Sequence, residues 1–374
     1  MRRALTRVFA LASKETLHIV RDPRVLFMAI AMPVVLIVLF GYGVRFDMDR
    51  VPIAILDHDR SAESRHLREA FVASGELRLA RQIDDASQIE PLFRRGDAVG
   101  ALVIPRGFAR AIGRGERAEV QLVVDGSDAN TANQTLAKAD AIGRWVSLGV
   151  TRRAGFEVAP AVAVRTWTRF NPSGRSALYL VPGLAAYILA IVAVLLTALT
   201  VAREWESGSM EQLFATPVGR LEIVAGKLLP YLALGAIGVL LVLSVGAWVF
   251  DMPLRGSMAF LAVASVLFLI GALGQGLLIS VVTRNQMVAT QAATLSSMLP
   301  SMLLSGVIFP IENMPRALQW VSTLVPARYY VESLRGVLLR GNGASTLWPQ
   351  AAALAAFAAL MIALSALRFK RRLA

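Results

Sequence analysis

The densest set of charged side chains flanked by apolar runs is Arg203, Glu204, Trp205, Glu206, Ser207, Gly208, Ser209, Met210, Glu211, Gln212 and Leu213, closed by Thr216–Pro217. It lies between two long apolar runs, Ala177–Val201 and Leu228–Phe250. It is too charged to sit in lipid and too well patterned for a slack connection. Ser209 with Gln212 three residues on has the form of a capping box, and Thr216–Pro217 reads as the N-cap and first position of a further helix. The pattern predicts a short, rigid cytosolic helix that receives a push from a partner protein. The plainer reading is a charged connector between two membrane helices.

Other constellations offer little chemistry. A phosphate-cradling G-x-x-x-x-G-K-[ST] loop is absent; at Gly226–Lys227, Leu221 stands where the first glycine belongs and Leu228 follows the lysine. ATP binding by that route is therefore excluded. Asp57–His58–Asp59 with His66 could be drawn as a metal site, but these aspartates follow an expected strand, where Asp commonly caps turns, and H-E-x-x-H does not occur. The expectation is no metal. No nucleophile elbow G-x-S-x-G is present, and cysteine is absent, which removes disulfides, thiol nucleophiles and Cys-based metal sites.

The elements that would carry the charged stretch are membrane helices. The chain is 56% hydrophobic, with a mean hydropathy of +0.57. Several charge-free runs of 20 or more residues can each cross a hydrocarbon core of about 30 Å. Six spans are predicted: Val25–Val44, Ala177–Val201, Leu228–Phe250, Met258–Val282, Met287–Phe309 and Leu347–Leu367. None holds an Asp, Glu, Lys, Arg or His, which argues against ion-coupled transport. Gln275, Gln291, Ser296, Ser297, Ser301 and Ser305 are their polar exceptions. Interhelical hydrogen bonding is the plainer role for these, and lining a substrate path is the sharper one for Gln275, Gln291, Ser297, Ser301 and Ser305. Gly271, Gly274 and Gly276 are read as close-packing positions.

Charge and pattern divide the chain. Residues 1–23 form a basic amphipathic helix expected in the membrane interface on the cytosolic side, and 24–44 the first span. A signal peptide is excluded by the length of the apolar run and the lack of a small-x-small cleavage site. Residues 45–172 change character. Expected strands at Val51–Leu56, Leu77–Ala80, Val99–Ile104 and Val120–Val124 alternate with expected helices at Ala62–Ala73, Asp85–Phe93, Arg106–Ile112 and Asp128–Leu148. This inserted α/β domain is expected outside the cytosol. From Arg45 to Arg169 there are 19 Lys/Arg against 17 Asp/Glu, so most of the +13 net charge belongs to membrane flanks, where it sets orientation. Nucleic-acid binding is not expected. Residues 173–374 hold the other five spans, with a cytosolic loop at 202–227 and a re-entrant or interfacial segment at 310–346, where Ala317–Val325 and Tyr329–Leu339 are too short to span and Pro326 interrupts. Six crossings place both termini in the cytosol, in agreement with the tail Arg368, Lys370, Arg371, Arg372.

Four stretches make the chain resemble the ABC type-2 permeases of bacterial exporters, of the kind with a large extracytoplasmic insert after the first helix. They are Lys14–Glu15 with Arg21–Asp22–Pro23, Pro33 and Phe40–Gly41; Asn171–Pro172 with Val181–Pro182–Gly183; Arg203–Leu213 with Thr216–Pro217 and Gly226–Pro230; and Ser305–Pro315 with Pro326–Tyr330, Leu334–Gly336 and Gly341. Trp205 departs from the usual polar residue, and Ser209 replaces a common threonine. The resemblance implies a six-helix permease of the ABC type-2 exporter fold without a cofactor of its own, paired with a second copy or a sister permease. ATP and Mg²⁺ would sit on separate ABC ATPase subunits. Arg203, Glu204, Glu206, Gly208, Met210, Glu211, Gln212, Leu213 and Pro217 would form the ATPase-coupling loop. Export of a drug-like or lipid-like compound across a bacterial inner membrane, with a periplasmic membrane-fusion adaptor as further partner, is the expectation. The competing reading is a membrane-anchored sensor or scaffold binding a ligand through its α/β domain; six spans and short cytosolic pieces speak against it.

Overall fold

The computed structural model describes residues 2–43, 50–127, 129–153, 176–210, 216 and 218–369. Asn171–Pro172, Glu211, Gln212, Leu213, Pro217, Lys370, Arg371 and Arg372 lie outside the described residues. The chain divides into two compact units, 1–44 with 168–374, and 45–167. The first unit begins with α1 (Arg2–Arg21). Asp22 then turns the chain by accepting from the amides of Arg24 (3.0 Å) and Val25 (3.4 Å), and Pro23 opens α2 (Pro23–Gly43). One π-helical stretch, Phe27–Ala31, interrupts α2.

The second unit is a four-stranded sheet with helices. In order it contains β1 (Val51–Asp57), α3 (Ala62–Ala73), β2 (Leu77–Ile83), α4 (Ile89–Arg95), β3 (Gly100–Ile104), α5 (Phe108–Gly113), β4 (Gln121–Val124) and α6 (Ala129–Arg153). Strand order is β2-β1-β3-β4; β1 runs parallel to β2 and β3, and β4 antiparallel to β3. β1 is central, which explains its unbroken apolar sequence: Val51, Ile53 and Ile55 face a cluster with Leu67, Phe71 and Ile142, while Ala54 and Leu56 face one with Ile83 and Leu92. The aspartates that could have suggested a metal are turn formers. Asp57 accepts from the amides of Asp59 (3.0 Å) and Arg60 (2.9 Å) and from the Ser64 hydroxyl (2.7 Å), and Asp59 caps α5 through Gly107 N–H (2.7 Å) and Ala109 N–H (3.0 Å). The Ser61 hydroxyl and those same amides hold the Asp59 carboxyl below the usual carboxylate range.

The first unit resumes with α7 (Ser176–Glu206), α8 (Arg220–Val249), α9 (Met258–Thr283), α10 (Gln286–Leu303), α11 (Arg316–Ser322), α12 (Pro326–Arg335) and α13 (Ala344–Arg368). Helix α7 is the hub. Of its most apolar stretch 83% is buried, against 17% in α13. Its partners approach closely because of small residues. A Cβ on Gly276 of α9 would overlap the Val194 carbonyl of α7, and one on Gly271 would lie 2.7 Å from the Phe357 ring of α13. Hydroxyls bridge the same seams: Thr197 Oγ1 donates to the Leu273 carbonyl (2.8 Å), Ser280 Oγ accepts from Ala202 N–H (2.8 Å), and Ser365 Oγ donates to the Gly274 carbonyl (3.2 Å).

Two expectations need revision. Among the described residues five helices are long and apolar enough to cross a membrane: α2, α7, α8, α9 and α13. The remaining expected span, 287–309, forms only α10, 18 residues and about 27 Å at 1.5 Å per residue. Its Thr290, Gln291, Thr294, Ser296, Ser297 and Ser301 dilute its hydropathy, and the chain leaves the helix at Leu304. Next, the helix expected to start at Thr216–Pro217 begins at Arg220. Gly219 is its N-cap, because Glu222 folds back to accept from the Gly219 amide (2.8 Å). Within 310–346, Arg328 and Arg335 serve as internal donors. Arg328 reaches the Ser322 hydroxyl (2.6 Å), and Arg335 reaches the carbonyls of Gly306 (2.9 Å), Tyr179 (3.3 Å) and Val307 (3.4 Å). The Arg335 guanidinium also lies 3.7 Å from the Tyr179 ring centroid.

Candidate coupling site

The end of α7 carries the charged residues singled out in the sequence, and each described one is tied to a different neighbour. Arg203 donates to Asp22 at the α1–α2 corner (3.3 Å). Glu204 receives Lys14 of α1 (3.1 Å) and Lys227 of α8 (2.7 Å). Trp205 lies under the Arg284 guanidinium, 4.4 Å from its ring centroid, where α9 ends. Glu206 accepts from the backbone amide of Gln286 (2.8 Å) and from its side-chain amide, at the start of α10. Gly208, at φ +72°, then turns the chain in a conformation that a side chain would strain, and Met210 is buried.

Lys227 is the centre of this arrangement. Only 2% of its side chain is exposed, and its ammonium contacts both Glu204 and Glu15 (2.8 Å). A buried ammonium is tolerated only when paired and hydrogen-bonded, and two carboxylates from two other helices meet that need. Gly226 completes the device. A Cβ there would lie 2.6 Å from that of Leu11, so its absence lets α1 settle on α8 one turn before Glu15 meets Lys227. Gly226–Lys227, which fails as a nucleotide loop, is thus a docking point for the amino-terminal helix. Sequence reasoning passed over this pair. The usable signal was Glu15, the sole acid among residues 2–21, four positions after an apolar Leu11.

The intramembrane polar residues divide into two sets. Gln275, Ser297 and Ser301 line a cavity of about 420 Å³ together with Ser296, Val194 and Phe357. Gln275 donates to the Ser296 hydroxyl (3.2 Å), and Ser297 donates to the Ala293 carbonyl (2.7 Å). Ser305 is buried, donates to the Ser301 carbonyl and does not line this cavity; Gln291 is exposed on α10.

A bundle of long apolar helices, ringed at one end of its hub by paired charges, defines a polytopic membrane protein whose polar machinery is at its rim. The ABC-2 family transporter protein family matches residues 23–367, and the chain belongs to it. It is 37% identical over 368 residues to the probable multidrug ABC transporter permease YbhS of Escherichia coli, covering 98% of this chain and 97% of that protein. It is similar also to the probable multidrug ABC transporter permease YbhR of the same organism (27%, 91% and 92% covered) and to the linearmycin resistance permease protein LnrN of Bacillus subtilis (23%, 97% and 100% covered). The chain is therefore a multi-pass permease of the ABC transporter class.

Proposed function

We propose that this permease exports a hydrophobic or amphiphilic compound outward across the inner membrane, driven by separate ATPase subunits that engage the turn after α7. The observation that carries this reading is the fourfold clasp on residues 203–206. A force applied at Ser207–Gly208 and the following segment would reach α1, α8 and the α9–α10 corner together, because each is bound to consecutive residues of one rigid helix. Glu204 is then the transmitting group, and Glu206, Gly208, Glu211, Gln212, Leu213 and Pro217 face the ATPase. The multidrug and linearmycin-resistance relatives support an amphiphilic cargo, and the cavity lined by Gln275, Ser297 and Ser301 suits one: mostly apolar, with a few hydroxyl and amide groups. Two permease chains form the pathway; α10 with the turn after it serves as the sixth crossing, so that both termini lie in the cytosol, and the α/β unit lies outside, where it meets a periplasmic adaptor.

Copurification is the direct test. The wild-type chain brings down a P-loop ATPase, and Glu206→Lys with Glu211→Lys abolishes both its capture and ATP-driven export while thermal melting in detergent is retained. Normal ATP-driven export by that variant overturns the coupling assignment. Glu204→Lys is a poorer probe, since it would place a second ammonium against Lys227. Undiminished export after replacing residues 50–153 by a short linker would reduce the α/β unit to a spacer.

A further inference from the structure

A second cavity, of about 370 Å³, lies where α1, α2, α7 and α8 meet beside the Lys227 cluster. One wall is polar, with Lys14, Arg203 and Ser209; the other is apolar, with Val25, Met28 and Leu199. Glu15 and Glu204 also border it, but their side chains are only 8% and 14% exposed and both contact buried Lys227. Lys14 and Arg203 are paired with Glu204 (3.1 Å) and Asp22 (3.3 Å), but they are about half exposed while those carboxylates are 14% and 25% exposed, so the more accessible charge is positive. The boundary between the walls falls at Asp22–Pro23, where the charged helix gives way to the apolar span.

Helix α1 points to the same ligand. Its inner face is spent on α8, through Leu11 and Glu15. Apolar Leu5, Phe9, Leu17 and Val20, by contrast, are exposed, Phe9 by 78%. Arg3, Arg21 and Arg24 are exposed close by. A helix with bare apolar side chains and a basic rim lies in the headgroup region of a bilayer, with anionic lipid around it.

We propose that this cavity is a binding site for one anionic phospholipid, its phosphate on Lys14 and Arg203 and the start of its acyl chain against Val25, Met28 and Leu199. The paired cations supply charge-assisted hydrogen bonds to the phosphate oxygens, and the apolar wall requires a ligand with a tail. The lipid would bridge α1, α2 and α7 at the level of the ion cluster. This site depends on membrane residence alone and stands whether or not the export reading holds.

The test uses the full chain in phosphatidylcholine vesicles carrying a trace of photoactivatable phosphatidylglycerol or, in parallel, phosphatidylcholine with the same photoactivatable chain. Crosslinked residues are mapped by mass spectrometry. Phosphatidylglycerol is expected to label the segments around Met28 and Leu199 at least about fivefold more than phosphatidylcholine, and Lys14→Gln and Arg203→Gln each to cut that labelling about fivefold. Val25→Phe, which fills the apolar wall and leaves every charge in place, should abolish it, with thermal melting reporting that each variant is folded. Inorganic phosphate should fail to compete. Equal labelling by the two lipids, labelling that survives Val25→Phe, or displacement by inorganic phosphate as effective as that by unlabelled phosphatidylglycerol would each overturn the assignment.

Discussion

Helix α7 packs against a cation near each of its ends, buried Lys227 and half-buried Arg335, and the two are satisfied by opposite means. Near its carboxyl end, Lys227 is held by two carboxylates brought from α1 and from α7 itself. Near its amino end, about 37 Å away at 1.5 Å per residue, Arg335 is held by the carbonyls of Tyr179, Gly306 and Val307. Carbonyls belong to the backbone and cannot change charge or rotamer, so Arg335 works as a fixed cap on the turn after α10. Carboxylates sit on movable side chains of separate helices, so the Lys227 cluster can be strained, or broken and reformed, when those helices shift. This division suits the proposed reading, in which the chain is driven at the Lys227 end.

Breaking the ionic end should have the largest effect. Lys227→Ala leaves two buried carboxylates without their shared cation and is expected to destabilise the fold by about 3–5 kcal/mol, read as thermal unfolding in detergent. Combining Glu15→Gln, Glu204→Gln and Lys227→Met should recover most of that loss, because the neutral set has no charge to bury. If the combined variant is no better than Lys227→Ala, the cost is not electrostatic. At the other end Arg335→Ala should cost about 1.5–3 kcal/mol through carbonyls left without a donor. Arg335→Lys should restore little, since a point-like ammonium cannot reproduce the planar fork. Full rescue by lysine would erase the contrast between the two ends.

Smaller effects sharpen the picture between them. Gly276→Ala should cost about 1–3 kcal/mol, because the added methyl meets the Val194 backbone and α9 must move off the hub. Tyr330→Phe should cost about 1 kcal/mol. It removes the hydroxyl pair with Ser265 (2.9 Å) but keeps the ring stacked on Phe268, and the Ser265 hydroxyl retains the Leu261 carbonyl. The smallest change concerns pH and the α/β unit. The Asp59 carboxyl is depressed in the folded chain, so its contribution is fully present above the ordinary aspartate range and is lost as pH falls through the lower folded value. Asp59→Asn should flatten this acid-side loss slightly in pH-dependent melts of the unit. An unchanged acid limb would assign that loss to other carboxylates.

Strand and helix positions in the α/β unit were legible because they rest on local pattern. β1 reads as a continuous apolar run since both its faces are covered, and Ala62–Ala73 is announced by its Ser61 cap, which accepts from the Ser64 amide (3.0 Å). The glycine seam of α9 was legible for the same reason. The length of α10 was misjudged, because apolar content at 287–309 does not reveal where the chain leaves the helix. The roles of Arg328 and Arg335 were not legible, since a sequence does not reveal which carbonyls an arginine will find. Glu204, expected in the coupling loop, is also engaged by the chain itself through Lys14 and Lys227, a pairing that no local pattern announces.

Composition and periodicity determined by themselves that this is a membrane protein without a nucleotide loop, its expected spans free of charge. These properties follow from hydropathy and local backbone preference, which act over a few residues. Only the tertiary structure decided that Glu15, Glu204 and Lys227 meet, that Gly226 admits Leu11, and that Arg335 caps a distant turn. Such pairings join residues up to 212 positions apart, and they are set by how helices pack against α7, a geometry that no local pattern encodes.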